Sequence, residues 1–432
     1  MPVTARPTRS AQGPAHAPRE MSLLRIVAQG LVSATTAPDP AEAVRRHLAI
    51  QGQQPSAVPH AIVSRVASAS GADVEEAFAS GRLVRSWPMR GTVHITTAQD
   101  HHWLRVALQH RMGAWMRASE DIYGVDDRVV ATAAEVALAL LAGGAVPRAD
   151  LLGAWEEAGL MEPFKGEDVS AYRRRHLLLR LQLEGILVQG PKRSNEHLVV
   201  DARGLPEAAT GPGGAGGGAH GTDSHRAALA EIARRYATSH GPVSAADLAR
   251  WTTLPVREAA RALEDAVETT NAAGYAVDPS TGHAPLTRAA AEGGLRGTVV
   301  VLGPGESAAA TRGDRVGGRD GGSTGVLYMR ADLPDLLAAD RRAAAATHFL
   351  ASFDELHVGY KDRLCLTDAA GERLICPSMN GMFRPLLVDR GRVVAVRPVG
   401  HGLLWADDAR RSAPLEGEVE RAVRAVERRL AG

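Results

Sequence analysis

The sequence is poor in cysteine, in lysine and in long apolar runs. Only Cys365 and Cys376 carry thiols. Two thiols build no disulfide framework, so both are expected free in a reducing cytosol. Of 50 basic residues only Lys165, Lys192 and Lys361 are lysines. Chemistry through a lysine amine therefore has few candidates. No run of about 18 apolar residues exists, which excludes a helical membrane span. The opening stretch MPVTARPTRSAQGPAHAPRE has charge and proline but no apolar centre, so it reads as a disordered tail and not a secretory signal. There is no HExxH, no CxxC and no close His/Asp cluster at ligand spacing, so no metal and no cofactor are expected.

What is present fits a soluble chain of several modules. The apolar fraction is 45% over 432 residues, a composition and length that suggest about three or four modules. Net charge is +1, which excludes neither nucleic acid nor a small molecule as partner. Arginine's planar fork matches phosphate geometry, although codon bias gives the same enrichment.

Along the chain, Leu23 to Ser33, Pro40 to Ile50 and Ala57 to Ala69 have helical spacing. GADVEEAFASGRL follows, with Asp73 as the expected N-cap. LVRSW and GTVHITT then flank Pro88 to Gly91 as a two-stranded hairpin. Helices followed by a hairpin make a winged-helix pattern, and it recurs. PRADLLGAWEEAGL and VSAYRRRHLLLRLQLEG are helices, with GILVQG and EHLVV as a hairpin around PKRSN. SAADLARWTTL and PVREAARALEDAV are helices, with ETTNAAGYAVD as the expected wing. Ala149-Asp150-Leu151…Trp155 matches Ala246-Asp247-Leu248…Trp251 at the same place in two units. GPGGAGGGAHGTD and TRGDRVGGRDGGSTG are Gly-rich linkers or loops. The last hundred residues carry strand signals in DRLCLTD, ERLICP, RPLLVDRG, RVVAVRPV and GHGLLWAD, closed by a helix in LEGEVERAVRAVERRL. The expected organisation is a tail over 1–22, winged helices over 23–120, 121–205 and 223–330, a linker over 206–222, and a β-rich domain over 331–432.

The chemistry-bearing string is Gln51-Gly52-Gln53. Glutamine amides hold water by donating and accepting hydrogen bonds but cannot take its proton at neutral pH. A site built on them suits a bond that is already labile. In a helix interior the two side chains point about 200° apart; at a helix end or in irregular backbone both reach one cavity. Gly52 and Pro55 fit the latter, and a merely polar helix end is the alternative. Arg173, Arg174, Arg175, His176 and Arg180 lie on the long helix of the second unit, as a phosphate-contacting end or a solvated face. Lys192 and Arg193 sit at a hairpin tip. His94 shares a strand face with Thr92 and Thr96, lining a cleft or making an edge hydrogen bond. In FDELHVGYKDR, Asp362 and Arg363 either pair or leave the basic residues for phosphate. Gly321-Gly322-Ser323-Thr324-Gly325 fits the nucleophile-elbow string, but no strand precedes it and no helix follows.

LAIQGQQP, SWPMRGTVHITTAQDHHWL, LLLRLQLEGILVQG, FDELHVGYKDR and GMFRPLLVDRGRVV, in that order, resemble the AlkZ-like DNA glycosylases. The resemblance runs from about Leu23 to about Pro398. It implies an α+β fold of three tandem winged helices and a β-rich domain arranged as a C-shaped DNA clamp. It implies catalysis by glutamine, one residue, then glutamine or aspartate, matched by Gln51 and Gln53. Gly52 departs from the usual aliphatic middle residue. The implied activity is excision of N7-alkylated guanine, including bulky adducts and interstrand crosslinks, with self-resistance in some relatives. The expected DNA contacts are Arg90, His94, Arg173, Arg174, Lys192, Arg193, Lys361, Arg363 and Arg384. The expected partner is double-stranded DNA carrying alkylated purines, with no membrane, met by a cytoplasmic, nucleoid-associated monomer. Scarce lysine points to a hydrolase without lyase activity. The rival reading is a non-catalytic winged-helix regulator.

Overall fold

In the computed structural model the described residues are 19–206, 222–274, 284–292, 297–303 and 325–432. The first 18 residues, most of the Gly-rich stretch at 206–222 and nearly all of the second one lie outside them.

The first part of the chain runs α1 (Arg19–Ala28), α2 (Pro40–His47), β1 (Ile50–Gln51), α3 (Val58–Val63), α4 (Gly71–Ala79), β2 (Leu83–Met89) and β3 (Thr92–Thr97). Asp39 caps α2 with Pro40 in its first turn. At α4 the N-cap is Ser70, not Asp73. Asp73 is the N3 partner in a capping box, its carboxylate accepting from Ser70 N–H at 2.7 Å. The β2–β3 hairpin turns on Arg90 and Gly91, at φ +56° and +64°. Two left-handed residues match the strand twist, and a non-glycine at the first of them stores strain.

Helices α5 (Ala98–Leu108), α6 (Gly113–Tyr123) and α7 (Asp127–Leu141) lead to α8 (Arg148–Glu157), α9 (Ser170–Leu183), β4 (Leu187–Arg193) and β5 (Glu196–Asp201). Between α7 and α8, Val146 makes an isolated bridge to Val199. The third passage is α10 (Thr222–His240), β6 (Val243–Ser244), α11 (Ala245–Thr252), α12 (Val256–Ala272), β7 (Leu286–Ala291), β8 (Val299–Val301) and β9 (Leu327–Arg330). The order helix, short extended pairing, two helices and antiparallel strands thus recurs three times. Leu151, Trp155, Leu248 and Trp251 are all fully buried, so the repeated sequence marks core positions.

The units share more than the sequence suggests. The first two hairpins join in one five-stranded sheet, β1-β3-β2-β4-β5, through Arg85 opposite Gln189. Leu48, Met89 and Leu104 belong to the same apolar core as Ile232, Trp251 and Leu263. Of the expected third wing ETTNAAGYAVD, residues 275–278 lie outside the described residues. Glu268–Ala272 continue α12, and β7, β8 and β9 supply the strands.

The last part holds α13 (Leu333–Ala344), β10 (His348–Leu350), α14 (Glu355–Val358), α15 (Ala369–Ile375), β11 (Leu386–Asp389), β12 (Arg392–Val396), β13 (Leu404–Trp405) and α16 (Ala413–Ala431). Strands β10 to β13 form an antiparallel sheet in chain order. Two strand expectations fail here. Leu364–Leu366 are turn, and Glu372–Ile375 belong to α15, which Asp368 caps through Gly371 N–H. Residues 19–22, expected in a disordered tail, begin α1. That helix packs on α13 in the C-terminal core and not within the first unit. Helix α16 packs back on α3, and Arg429 donates to the carbonyls of Val66 and Ala69. The fold is α+β with an antiparallel C-terminal sheet. Among the described residues no helix is long and apolar enough to cross a membrane. Cys365 and Cys376 are buried free thiols.

Candidate active site at the junction of three segments

Gln51 ends β1 at a sheet edge, and Gly52 and Gln53 follow as irregular backbone with Gln53 in a bend. Ile50 pairs with Ile95 and Gln51 with His94. Gly52 N–H donates to Val93 O at 2.8 Å, and Gln53 Oε1 accepts from Val93 N–H at 3.3 Å. Gln53 is exposed and Gln51 half-buried. Gln51 Oε1 is buried, and no donor among the described residues reaches it. The two side chains thus flank one backbone step, one carbonyl anchored and the other unengaged.

Gly52 has a local reason. A Cβ there would sit 2.9 Å from Ile95 Cδ1 and 3.3 Å from His94 C. Ile95 fills the volume that a middle side chain would need, and it is fully buried. From the other side Arg85 Nε donates to Gly52 O at 3.0 Å. The Arg85 guanidinium also bonds Gln189 Oε1, tying the string to β4. Burial, then the charge of Arg148, pushes Arg85 down to about 10.

Beneath the string lies a carboxylate that the sequence reading overlooked. Glu355 opens α14 and is fully buried. Its Oε1 accepts from Gln51 N–H at 2.8 Å. Its Oε2 faces Trp251 Nε1–H and His240 Nε2, each at 3.3 Å. Burial alone would raise this carboxyl. The hydrogen bond and charge of His240, then Arg90 and His94, outweigh it and hold Glu355 at about 2. With the rings neutral near pH 7, the histidine contact that acts there is the His240 Nε2–H bond, since His94 Nε2 accepts from Arg90 and Nδ1 faces Thr92 O. His94 is lowered to about 3, first by burial and then by Arg90, and His240 is lowered chiefly by burial. Three N–H donors and the Arg90 charge therefore keep Glu355 ionised. The neighbouring Asp354 caps α14 and accepts both Arg65 nitrogens, at 2.8 and 2.9 Å. Arg65 continues to Gln29 Oε1 at 2.6 Å, and Gln29 to Tyr360 Oη at 3.0 Å. The site thus stands where β1, the α10–α11 pair and the Asp354–Tyr360 segment meet.

A basic rim accompanies the carboxylate. Arg90 is half-buried and donates to His94 Nε2 at 3.2 Å. Burial lowers its pKa; Glu355 raises it, and the charges of Arg250 and Arg363 lower it again. These arginines therefore share one field. Arg250 is exposed on α11 and was missed in the sequence because it lies in an ordinary helical pattern.

The other expected contacts divide. His94 is fully buried, with Nδ1 against Thr92 O at 2.9 Å, so it supports the hairpin and cannot touch DNA. Arg173 is also buried; its guanidinium donates to the carbonyls of Tyr123, Leu160 and Glu162. Both expectations are corrected: an arginine that satisfies three carbonyls inside a helical unit is a brace. Arg174 pairs with Glu156 at 2.8 Å. Lys192 lies on β4 before the tip and pairs with Glu75 at 3.1 Å. Arg193 is exposed beside that tip. Lys361 is exposed, and its main-chain N–H donates to Asp247 Oδ1 at 2.8 Å. Arg363 is half-buried and bonds Glu372 at 2.9 Å, not Asp362. Arg384 donates to Leu374 O at 3.0 Å.

The family model for DNA glycosylase AlkZ-like matches residues 44–300, more than half of the chain. The chain belongs to the AlkZ-like DNA glycosylase family. Its activity class is that of a DNA glycosylase, and DNA is its substrate. The family match spans the Gln51–Gln53 string, the β2–β3 hairpin and Trp251, while Glu355 and Arg363 lie beyond it. Among solved structures, Streptomyces sahachiroi DNA glycosylase AlkZ is similar in fold, at 20% identity and a TM-score of 0.62, covering 95% of this chain and 96% of that one. Among curated protein sequences none matches.

Proposed function

We propose that this AlkZ-like protein hydrolyses the N-glycosidic bond of N7-alkylated guanine, with Gln51 and Gln53 holding the attacking water. The observation that carries the reading is the pair of amides either side of Gly52 at the end of β1: Gln51 Oε1 is buried with no donor among the described residues, and Gln53 is exposed with its carbonyl tied to Val93. An amide oxygen and an amide N–H₂ together accept from and donate to one water.

Alkylation at N7 makes the purine cationic. The C1′–N9 electron pair then departs with the base, which leaves neutral, and the sugar becomes oxocarbenium-like. Water oxygen bonds C1′ and its proton passes to solvent, leaving an abasic sugar. No strong base is required, because the cation attracts even neutral water. Glu355 is a positioning residue. It fixes the motif strand through Gln51 N–H, and its negative charge favours a cationic sugar nearby. Arg90 and Arg250, with Arg363, offer phosphate contacts whose strength falls with salt.

The site is at a sheet edge with Gln53 exposed. A bulky or crosslinked guanine reaches such an edge without being swung into an enclosed pocket, so the proposed substrates include adducts too large to flip. No group hydrogen-bonded to the motif is a lysine, which supports hydrolysis without a Schiff-base lyase step.

The test is release of 7-methylguanine from N7-methylated duplex DNA, followed by chromatography. The Gln51→Ala, Gln53→Ala double variant is expected to lose about 10²-fold in rate, the scale of removing a preorganised polar contact. DNA affinity should stay close to that of the parent protein. Unchanged release removes the assignment.

A further inference from the structure

The sequence shows no metal-ligand spacing, yet the fold assembles a ligand set from three distant segments. His110 lies in the 3-10 turn Gln109–Met112, His225 on α10 and Glu258 in the first turn of α12. One ligand atom from each lies within 4.8 Å of the others. We propose that His110, His225 and Glu258 bind a divalent transition-metal ion of the zinc class.

The chemistry of the set fits. Two imidazoles and one carboxylate match zinc's preference for nitrogen and oxygen ligands, with a fourth position left for water. A tetrahedral zinc site has ligand edges of about 3.3 Å, so small rotamer adjustments close this cluster around an ion. The His110 and His225 rings stand edge to face at 5.3 Å. Glu258 makes no ion pair with arginine or lysine among the described residues.

The placement gives the ion a mechanical role. The 3-10 turn already meets the third unit through Arg111 Nε, which donates to Thr253 O at 2.9 Å. Its last residue, Met112, lies against the hairpin turn at Gly91, where an added Cβ would be 3.4 Å from Met112 Cε. An ion at the cluster would fasten this turn to α10 and α12, two residues from the Met112 contact with the turn that presents Arg90. The role is independent of the amide pair, and its test does not read glycosylase activity.

Untagged full-length protein, stripped with a chelator, is titrated with Co²⁺ and then Zn²⁺. One equivalent of Co²⁺ is expected to give a visible absorption band that Zn²⁺ displaces. Separately, Zn²⁺ should raise the melting temperature, because binding to the folded state alone stabilises it. His110→Ala and Glu258→Gln should each weaken binding by more than about tenfold and abolish the thermal shift. His401→Ala, exposed and outside the cluster, should leave both unchanged. Absence of saturable one-equivalent binding, or affinity indifferent to His110→Ala, overturns the site. All three ligands are exposed or half-buried, so these variants should fold.

Discussion

Asp354 and Glu355 are adjacent, both fully buried, and both accept several hydrogen bonds, yet their pockets are built differently. Asp354 is met by a permanent cation, the two-pronged Arg65 guanidinium, which is itself only 1% exposed. Glu355 is met by a main-chain N–H, an indole and an imidazole, with arginine charge acting only from the side. A carboxylate paired to a buried cation has its charge cancelled and serves the fold. A carboxylate held by neutral dipoles keeps its field, which extends to whatever lies next to Gln51. The chain thus separates a structural acid from a site acid one residue apart.

The difference can be broken from either side. The largest expected effect is on Asp354. Asp354→Ala leaves Arg65 buried without its partner and should cost about 3–5 kcal/mol of stability, read by denaturant unfolding. A loss under 1 kcal/mol would mean that the pair is not holding the α3–α14 junction.

Acid should act on the second pocket through its histidines. His94 titrates near 3 when folded, against an ordinary 6.5, because burial first and Arg90 next disfavour its charge. The unfolded chain binds the proton first, so stability is complete above about pH 6.5 and falls as the pH drops. At pH 5 this one residue contributes a loss of up to about 2 kcal/mol. His47 and His240, also lowered by burial, act in the same direction. Glu355, depressed to about 2 from 4.5, stabilises the fold above 4.5 and loses that contribution only between 4.5 and 2. Thermal melts from pH 7 to pH 5 should therefore fall with the same slope in the parent and in Glu355→Gln. A slope that vanishes in the variant would assign the acid response to the carboxylate.

The smallest expected effect distinguishes charge from packing. Glu355→Gln retains the size of the side chain and removes the charge. It should lower base release about tenfold, or 1.4 kcal/mol of barrier, and destabilise far less than Asp354→Ala. Equal stability losses in the two variants would erase the contrast between the pockets.

Much of the architecture was readable from residue patterns. The repeated Leu and Trp positions at 151, 155, 248 and 251 are core because an amphipathic helix buries its apolar stripe. The β2–β3 hairpin followed from alternation around a tight turn. Misreadings cluster where local pattern is ambiguous. ERLICP alternates like a strand, but the Asp368 cap starts a helix that carries through it. The third wing was placed too early because α12 continues through Thr269 and Thr270, whose hydroxyls bond back to Asp265 and Ala266. Arg173 read as a phosphate contact because a run of arginines does not say which member points inward.

The amino-acid order by itself determined the first two hairpins, the helices that precede them and the paired amides around Gly52, because capping, periodicity and turn chemistry act within a few residues of the chain. Only the tertiary structure decided what surrounds that pair. Glu355 stands 304 positions from Gln51; Arg85 and Ile95 reach the string from the β2–β3 hairpin, and Trp251 reaches Glu355 from α11. Contacts between distant parts of a chain depend on how whole elements pack, and no short-range pattern encodes which buried carboxylate will be cancelled and which will keep its field.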